Sequence, residues 1–400
     1  MEYCKRCLFN SNICTIGNLQ CNYCDLHDNL EKSYIDFKDV LNNIQENKTD
    51  KYNCITGISG GIDSSTLLFA AVKKWNLRPL VIHFDNHWNT EIAKKNMNKL
   101  VTKLNIDIIN YQVNKEEFDN LNKAFLKAGV PDLDVPNDVA MTKLMYETAS
   151  KYNIKYILNG HCFKTEGSTP KKWTYMDSEY IQDIYKTFYN KSLTNFPLFK
   201  FSDQIKYGIE NIQQVRPFYY KNIDRKILDV EMKEFIGWEN YGWKHGENLY
   251  TDFVGSYLLP KKFGIDKRIV YLSAQIRMGE LTKKTAMRKL NMEATFDISI
   301  IKKEYLDLAD SSIKSRDNYK KFDYVKYKWV IFYLYIKNIV PYTFYIKYSE
   351  NIGIECHKYS DLSLDNKQIL LQELNNTNFN SDITEALIPI INSIEIELSK

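Results

Sequence analysis

Ser59-Gly60-Gly61-Ile62-Asp63-Ser64-Ser65 is the stretch on which the reading of this chain turns. It follows Tyr52-Asn53-Cys54-Ile55-Thr56-Gly57-Ile58, a short apolar run with strand character, and opens a helical pattern from Ser64 to Trp75. Glycines let backbone approach an anion closely, and a helix N-terminus offers unpaired N–H groups at the positive end of its dipole. With the hydroxyls, Ser59, Gly60, Gly61, Ser64 and Ser65 make a candidate cradle for a pyrophosphate. No Gly-Lys-Ser/Thr follows, so this is not a Walker A loop, and it does not match the Gly-x-Gly-x-x-Gly dinucleotide fingerprint. A carboxylate beside a phosphate site is repulsive unless a cation lies between them. Asp63 is therefore a candidate Mg²⁺ ligand, the plainer alternative being a helix cap.

Outward from the loop the chain keeps an α/β rhythm. Residues 79–84 read as a second strand, 89–104 as a helix, 106–113 as a third strand, 115–128 and 137–151 as helices, and 156–160 as a fourth strand. Short apolar strands alternating with amphipathic helices imply a doubly wound, mostly parallel sheet. Ligands on such sheets bind at the carboxyl ends of the strands. Two stretches fall there. His83-Phe84-Asp85-Asn86 ends the second strand, where Phe84 and Asp85 are placed to read an adenine through main-chain groups. Gly160-His161-Cys162-Phe163-Lys164-Thr165-Glu166 follows the fourth, with Glu166 placed for a second Mg²⁺ contact. A turn residue at Asp85 and a solvated charge at Glu166 are the bland alternatives.

At the N-terminus, Cys4-Lys5-Arg6-Cys7 and Cys21-Asn22-Tyr23-Cys24 form two Cys-x-x-Cys knuckles thirteen residues apart. Two knuckles supply the four thiolates of a closed structural zinc site, which leaves no open position for catalysis. Cys14, without a paired neighbour, reads as a free thiol. The N-terminus lacks an apolar signal stretch, and the longest apolar run, Trp329 to Ile336, is too short to span a bilayer, so a cytoplasmic protein is expected. A net charge of +4 with Lys and Arg dispersed among Asp and Glu argues against nucleic acid. The organisation expected is a knuckle module at 1–30, a nucleotide domain at 45–218, a mainly helical substrate- or nucleotide-contacting region at 219–295, and an extension at 296–400 without an assigned role.

The heptad resembles the Ser-Gly-Gly-x-Asp-Ser signature of the N-type ATP pyrophosphatases (the PP-loop superfamily), and Gly160-x5-Glu166 resembles the metal-binding segment of NAD synthetases. The double knuckle, the loop, Trp173-Thr174-Tyr175-Met176-Asp177-x-x-Tyr180-Ile181, Lys244-His245-Gly246-Glu247 and Leu259-Pro260-Lys261-Lys262-Phe263-Gly264-Ile265-Asp266-Lys267-Arg268 together look like the N-acetyl sugar amidotransferases of bacterial surface-glycan and nonulosonic-acid biosynthesis. The sequence departs from a common family form at Ile62, where Lys often stands, and at Gly160-His161-Cys162, where Gly-Glu-Asn is usual.

The resemblance implies a sheet of the adenine-nucleotide α-hydrolase type. It also implies an AMP-forming, ATP-dependent conversion of a sugar N-acetyl group to an acetamidino group. Ser59, Asp63 and Ser64 would be its catalytic core, with Asp63 and Glu166 on Mg²⁺ and Gly160 beside the nucleotide. Lys261, Lys262 and Arg268 stand equally as phosphate contacts or as a solvated charge run. No Gly-x-Cys-x-Gly glutaminase elbow is present, so ammonia would come from a separate glutaminase subunit or from solution. Two rival readings are tRNA thiolation, with Cys162 as the better sulfur carrier than Cys54, and a zinc-ribbon adaptor whose loop has lost catalysis.

Overall fold

The computed structural model of the protein describes residues 1–32, 36–46, 51–242, 244–292, 296–340, 342–349, 352–377 and 379–399. The expected start of the nucleotide domain at 45 and the boundary at 295 lie beside or within stretches outside these. Five parallel strands, β1 (Cys54–Gly57), β2 (Pro79–Asp85), β3 (Ile108–Gln112), β4 (Tyr156–Leu158) and β5 (Gln213–Val215), form one sheet in the order β3-β2-β1-β4-β5.

Both faces are apolar because side chains alternate along each strand. Ile55, Leu80, Ile82 and Ile157 face Met145 and Ala149 of the helix Val135–Lys151. Their neighbours Cys54 and Leu158 face Leu67 and Ala70 of the helix Ile62–Lys73, and Val81 faces Met97 and Leu100 of the helix Glu91–Leu104. A sheet buried on both faces gives the continuous apolar runs that marked these strands. The fold is thus the doubly wound parallel sheet expected.

Between β4 and residue 218 the structure adds elements that no sequence pattern above marks: the helices Ser178–Tyr189 and Phe201–Ile209, and strand β5. With three residues and the composition Gln-Gln-Val, β5 carries no periodic signal. It forms only because β4 presents a free edge for Tyr156 to Leu158 to pair with Gln213 to Val215.

The extension at 296–400 divides between two cores. Ile301, Tyr305, Ala309 and Tyr319 belong to the core shared with the helices after β3. From Tyr327 onward the chain builds its own helical core around the helix Lys328–Ile336, buried from Val330 to Ile336, and Phe201 and Ile205 anchor it to the nucleotide domain. No helix among the described residues is long and apolar enough to cross a membrane.

Candidate functional site

The chain steps from β1 outward to β2 and β3, then returns across the sheet to β4. The strand order therefore reverses between β1 and β4, and a ligand crevice is expected outside their carboxyl ends. A cavity of about 700 Å³ opens there. Its walls include Ser59, Asp63 and Ser64 after β1, and Gly160, His161 and Glu166 after β4. That volume suits a nucleotide-sized ligand.

The loop is held by contacts that only glycine permits. Gly60 has φ +80°, and an added Cβ would meet the Ala93 carbonyl oxygen at 2.2 Å. At Gly61 an added Cβ would lie 2.5 Å from Oε1 of Glu247. Part of the cradle is already satisfied internally: Gly61 N donates to Ser59 Oγ (3.2 Å), Ser59 N to Ser64 Oγ (3.2 Å), and Ile62 N to Tyr241 Oη (3.0 Å). An anion seated on these amides would exchange with Ser59 Oγ and Tyr241 Oη.

Charge converges on Asp63. Its Oδ1 lies 2.9 Å from Arg225 Nη2 and its Oδ2 3.2 Å from Lys244 Nζ, which is also 3.8 Å from Glu166 Oε2. Burial alone would raise the Asp63 pKa, but Lys244 and Arg225 outweigh it and hold the carboxyl below its ordinary value. Glu166 and Glu247 go the other way. Burial, with the Asp63 charge added, pushes each up to about 7. Oε2 of Glu247 has no hydrogen-bond partner among the described residues. Three carboxylates face one cavity; Asp63 is paired with two cations, whereas Glu166 and Glu247 are reluctant to ionise and Glu247 keeps an orphaned oxygen. Their oxygens are hard donors of the kind a divalent cation takes, although among the described residues only the four cysteines already lie close enough together to enclose an ion. His245 is lowered to about 4 by burial and by the nearby Lys244 and Lys267, so it is neutral at pH 7.

The structure distributes the expected site residues unevenly. Ser59, Gly61, Asp63, Ser64, Gly160 and Glu166 surround the cavity or touch what does, and Gly60 shapes the loop behind them. Ser65 is fully buried, does not line the cavity, and its hydroxyl has no hydrogen-bond partner among the described residues. Phe84 is a core residue stacked near Tyr111 and edge-on to Phe118, and Asp85 accepts from His87 N, 2.9 Å away. Neither lines the cavity, because the crevice opens between β1 and β4 and not over β2; Met141, Met145 and Tyr146 supply its apolar wall instead.

Lys261 is likewise elsewhere, bonding Tyr257 Oη at 2.7 Å, while Lys262 reaches the Ala309 carbonyl. Arg268 grips Asp266 at 2.7 Å and lines a different, adjoining cavity. Cys162 is buried with Sγ toward the Phe218 carbonyl, and burial raises its thiol, which disfavours the sulfur-carrier reading. Sequence reasoning missed the roles of Arg225, Tyr241, Lys244 and Glu247. Lys244 to Glu247 had been quoted only as part of a resemblance, and Arg225 carries no motif at all.

The cysteines close as expected. Sγ atoms of Cys4, Cys7, Cys21 and Cys24 lie within 4.8 Å of one another, with Cys4–Cys24 at 3.9, Cys7–Cys21 at 3.7 and Cys21–Cys24 at 3.8 Å. A tetrahedron with ~2.3 Å metal–sulfur bonds has an edge of about 3.8 Å, so the set fits one tetrahedral ion. Buried Arg277 donates to Cys24 Sγ and Cys7 Sγ, both at 3.4 Å, supplying positive charge beside the thiolates. Cys14 stays outside, its Sγ toward the Asn10 carbonyl.

Residues 247–333, less than a quarter of the chain, match the family model described as LPS biosynthesis protein WbpG-like, C-terminal domain. The uncharacterized protein MJ1599 of Methanocaldococcus jannaschii is 24% identical over 263 residues, covering 66% of this chain and 80% of that protein. Among solved structures, NMN synthetase from Francisella tularensis superposes with a TM-score of 0.36 at 12% identity, over 70% of this chain and 96% of its own. The U34-tRNA thiolase NcsA from Methanococcus maripaludis, with its 4Fe-4S cluster, gives 0.32 at 12% identity over 80% and 99%. The NH3-dependent NAD synthetase from Campylobacter jejuni gives 0.26 at 13% over 51% and 94%. The fold assignment rests on the strand order, and the family match places residues 247–333 beside proteins of LPS biosynthesis.

Proposed function

We propose that this chain is an ATP-dependent, AMP-forming amidotransferase that converts the N-acetyl group of a sugar into an acetamidino group in surface-glycan biosynthesis. The observation that carries the reading is the Ser59–Ser64 loop at the β1/β4 switch point, which carries Asp63 into one cavity shared with Glu166 and Glu247. The match of residues 247–333 to an LPS-biosynthesis domain supports the sugar assignment.

In this reading the amide oxygen attacks the ATP α-phosphorus, the bond to the β-phosphate breaks, and pyrophosphate leaves. Ammonia then adds to the imidate carbon, the C–O bond to AMP breaks, and the amidinium remains. An amide oxygen is a poor leaving group, and adenylation is what makes it leave. The protein's part is positioning and charge neutralisation. Ser59, Gly61 and Ser64 seat the pyrophosphate, Arg225 and Lys244 hold the Asp63 carboxylate in place, and neutral His245 adds no competing charge. Asp63 and Glu166 would hold Mg²⁺, which neutralises phosphate charge when bound. The cysteine cluster would hold a structural zinc. Ammonia would be delivered by a separate glutaminase subunit or taken from solution.

The test incubates purified protein with ATP, Mg²⁺, ammonium and a panel of N-acetyl sugars and their nucleotide-linked forms. Pyrophosphate and AMP should appear only with the right sugar. Mass spectrometry of that sugar should show loss of one oxygen and gain of one NH. Release of ADP and phosphate instead would overturn the AMP-forming step.

A further inference from the structure

Lys244 Nζ stands 3.2 Å from Asp63 Oδ2 and 3.8 Å from Glu166 Oε2, the two carboxylates assigned above to a divalent cation. We infer that Lys244 keeps that cation's place before nucleotide binds, and that on binding it passes from the two carboxylates to a phosphate oxygen of the ligand. The inference rests on the part of the reading above that seats phosphate on the loop, and not on the sugar.

The spare oxygens are the first argument. Each carboxylate has one oxygen fixed by a rigid donor. Asp63 Oδ1 takes Arg225 Nη2 at 2.9 Å, and Glu166 Oε1 takes the Cys162 amide at 3.0 Å. Oδ2 and Oε2 are left over, and one ammonium serves both. An ammonium is a compact point charge on a flexible stem, so it can stand where a small cation would stand between two oxygens. Asp63, Glu166 and Glu247 do not bring their oxygens within 4.8 Å of one another as the four thiols do. An ion that joins Asp63 to Glu166 therefore needs the ammonium to leave.

The two cations on Asp63 differ in how firmly they are held, which is the second argument. Arg225 is 6% exposed, and its fork spans Asp63 and Asp229 at 2.9 and 2.6 Å. Removing it would strand two carboxylates. Lys244 is 22% exposed and makes only the longer contacts. It enters from the adjoining cavity of about 460 Å³, with its ammonium 5.3 Å from the Tyr271 ring. The backbone beside it is pinned. His245 sits in the left-handed region at φ +67°, Thr90 N donates to the Glu247 carbonyl at 2.9 Å, and Leu249 N to the Trp88 carbonyl at 2.8 Å. Movement thus falls to the lysine side chain, while Arg225 stays.

Charge gives the destination. Arg225 and Lys244 offset Asp63 and Asp229, so neither is spare until a divalent cation takes its place. An ammonium displaced onto the Tyr271 ring alone would lose its ion pair. Phosphates seated by Ser59, Gly61 and Ser64 offer it an anion close to Asp63. The divalent cation then has the two carboxylate oxygens, the ammonium has a phosphate oxygen, and each charge keeps a partner.

Mn²⁺ titration of the intact protein tests this, with free Mn²⁺ read by electron paramagnetic resonance. Without phosphate, Lys244→Met and Lys244→Gln should each bind Mn²⁺ about 10–100-fold more tightly than the wild type, the fold-change of one charge-assisted contact. Adding Asp63→Asn to Lys244→Met should cancel the gain, which places the ion at the loop and not at the cysteines. Lys267→Met removes a nearby lysine that has neither carboxylate within 4.0 Å, and should leave Mn²⁺ affinity unchanged. With Mn²⁺ saturating, tripolyphosphate should bind Lys244→Met about 10–100-fold more weakly than the wild type. No gain in Mn²⁺ affinity in either Lys244 variant, a gain that survives Asp63→Asn, or an equal gain in Lys267→Met overturns the shared place. A gain without loss of tripolyphosphate affinity overturns the transfer to phosphate. If the wild type binds neither tripolyphosphate nor ATP, the loop reading itself falls and this inference with it. No sugar enters these readouts, so failure of the amidotransferase reading alone leaves them standing.

Discussion

The cysteine cluster and the loop cavity are two polar centres built on opposite plans. All four cluster thiols come from Cys4 to Cys24, on two turns, and their separations already match a tetrahedron. One distant residue, Arg277, completes the surroundings. At the loop the contiguous heptad supplies one carboxylate, and its partners come from far along the chain: Glu166, Arg225, Lys244 and Glu247. The cluster is closed and buried, whereas the loop is open, with excess negative charge and strained neighbours. A centre that only has to hold an ion can be encoded locally. A centre that binds, reacts and releases needs groups from several elements that differ in charge.

The two are joined mechanically. On the helix Arg268–Arg277, Ser273 accepts from Leu8 N and Arg277 donates to the thiolates, while Tyr271 and Gln275 line the cavity that adjoins the loop cavity. The cysteine module therefore buttresses a wall of that cavity.

Three substitutions can break or sharpen this contrast. The largest effect is expected from Cys7→Ser. Structural zinc contributes on the order of 10 kcal/mol to small modules, so the metal should be lost and residues 1–30 should unfold, as read by metal analysis and hydrogen exchange. ATP binding should persist, because no cysteine ligand lines the loop cavity; its loss would show that the two centres are one cooperative unit.

Next is Asp63→Asn, expected to reduce pyrophosphate release by about 10³-fold, the scale of a removed electrostatic group. Metal held by the cysteine cluster should stay unchanged. Retained activity would mean that Asp63 only anchors Arg225 and Lys244. The smallest is Arg277→Met, which removes the charge beside the thiolates yet fills the space. Metal affinity should fall ~10–100-fold, the usual cost of an outer-shell partner, measured by competition with a chelating dye. No change would place Arg277 as packing against Phe9, whose ring it covers at 5.1 Å.

How legible each part was follows from range of interaction. Strands β1, β2 and β4 were readable because both faces are buried, which keeps them mostly apolar around the few polar residues Thr56, His83 and Asp85. Strand β5 was not, since an exposed edge places no such demand on Gln213 and Gln214. Gly60 and Gly61 announced a close approach, but not that Ala93 and Glu247 are what approach. Phe84 ends β2 as expected, yet which strand end carries the crevice depends on the return of the chain to β4.

Residue order by itself determined the cysteine knuckles, the α/β alternation and the glycine loop after β1, because each is set by contacts within one or two turns of chain. Tertiary structure alone decided that the crevice lies between β1 and β4, that Lys244 and Arg225 hold Asp63, and that Lys261 points away while Lys267 and Lys289 face a cavity. Charges are placed by long-range packing, where a lysine's neighbours in space, and not in sequence, decide whether it is solvated or paired.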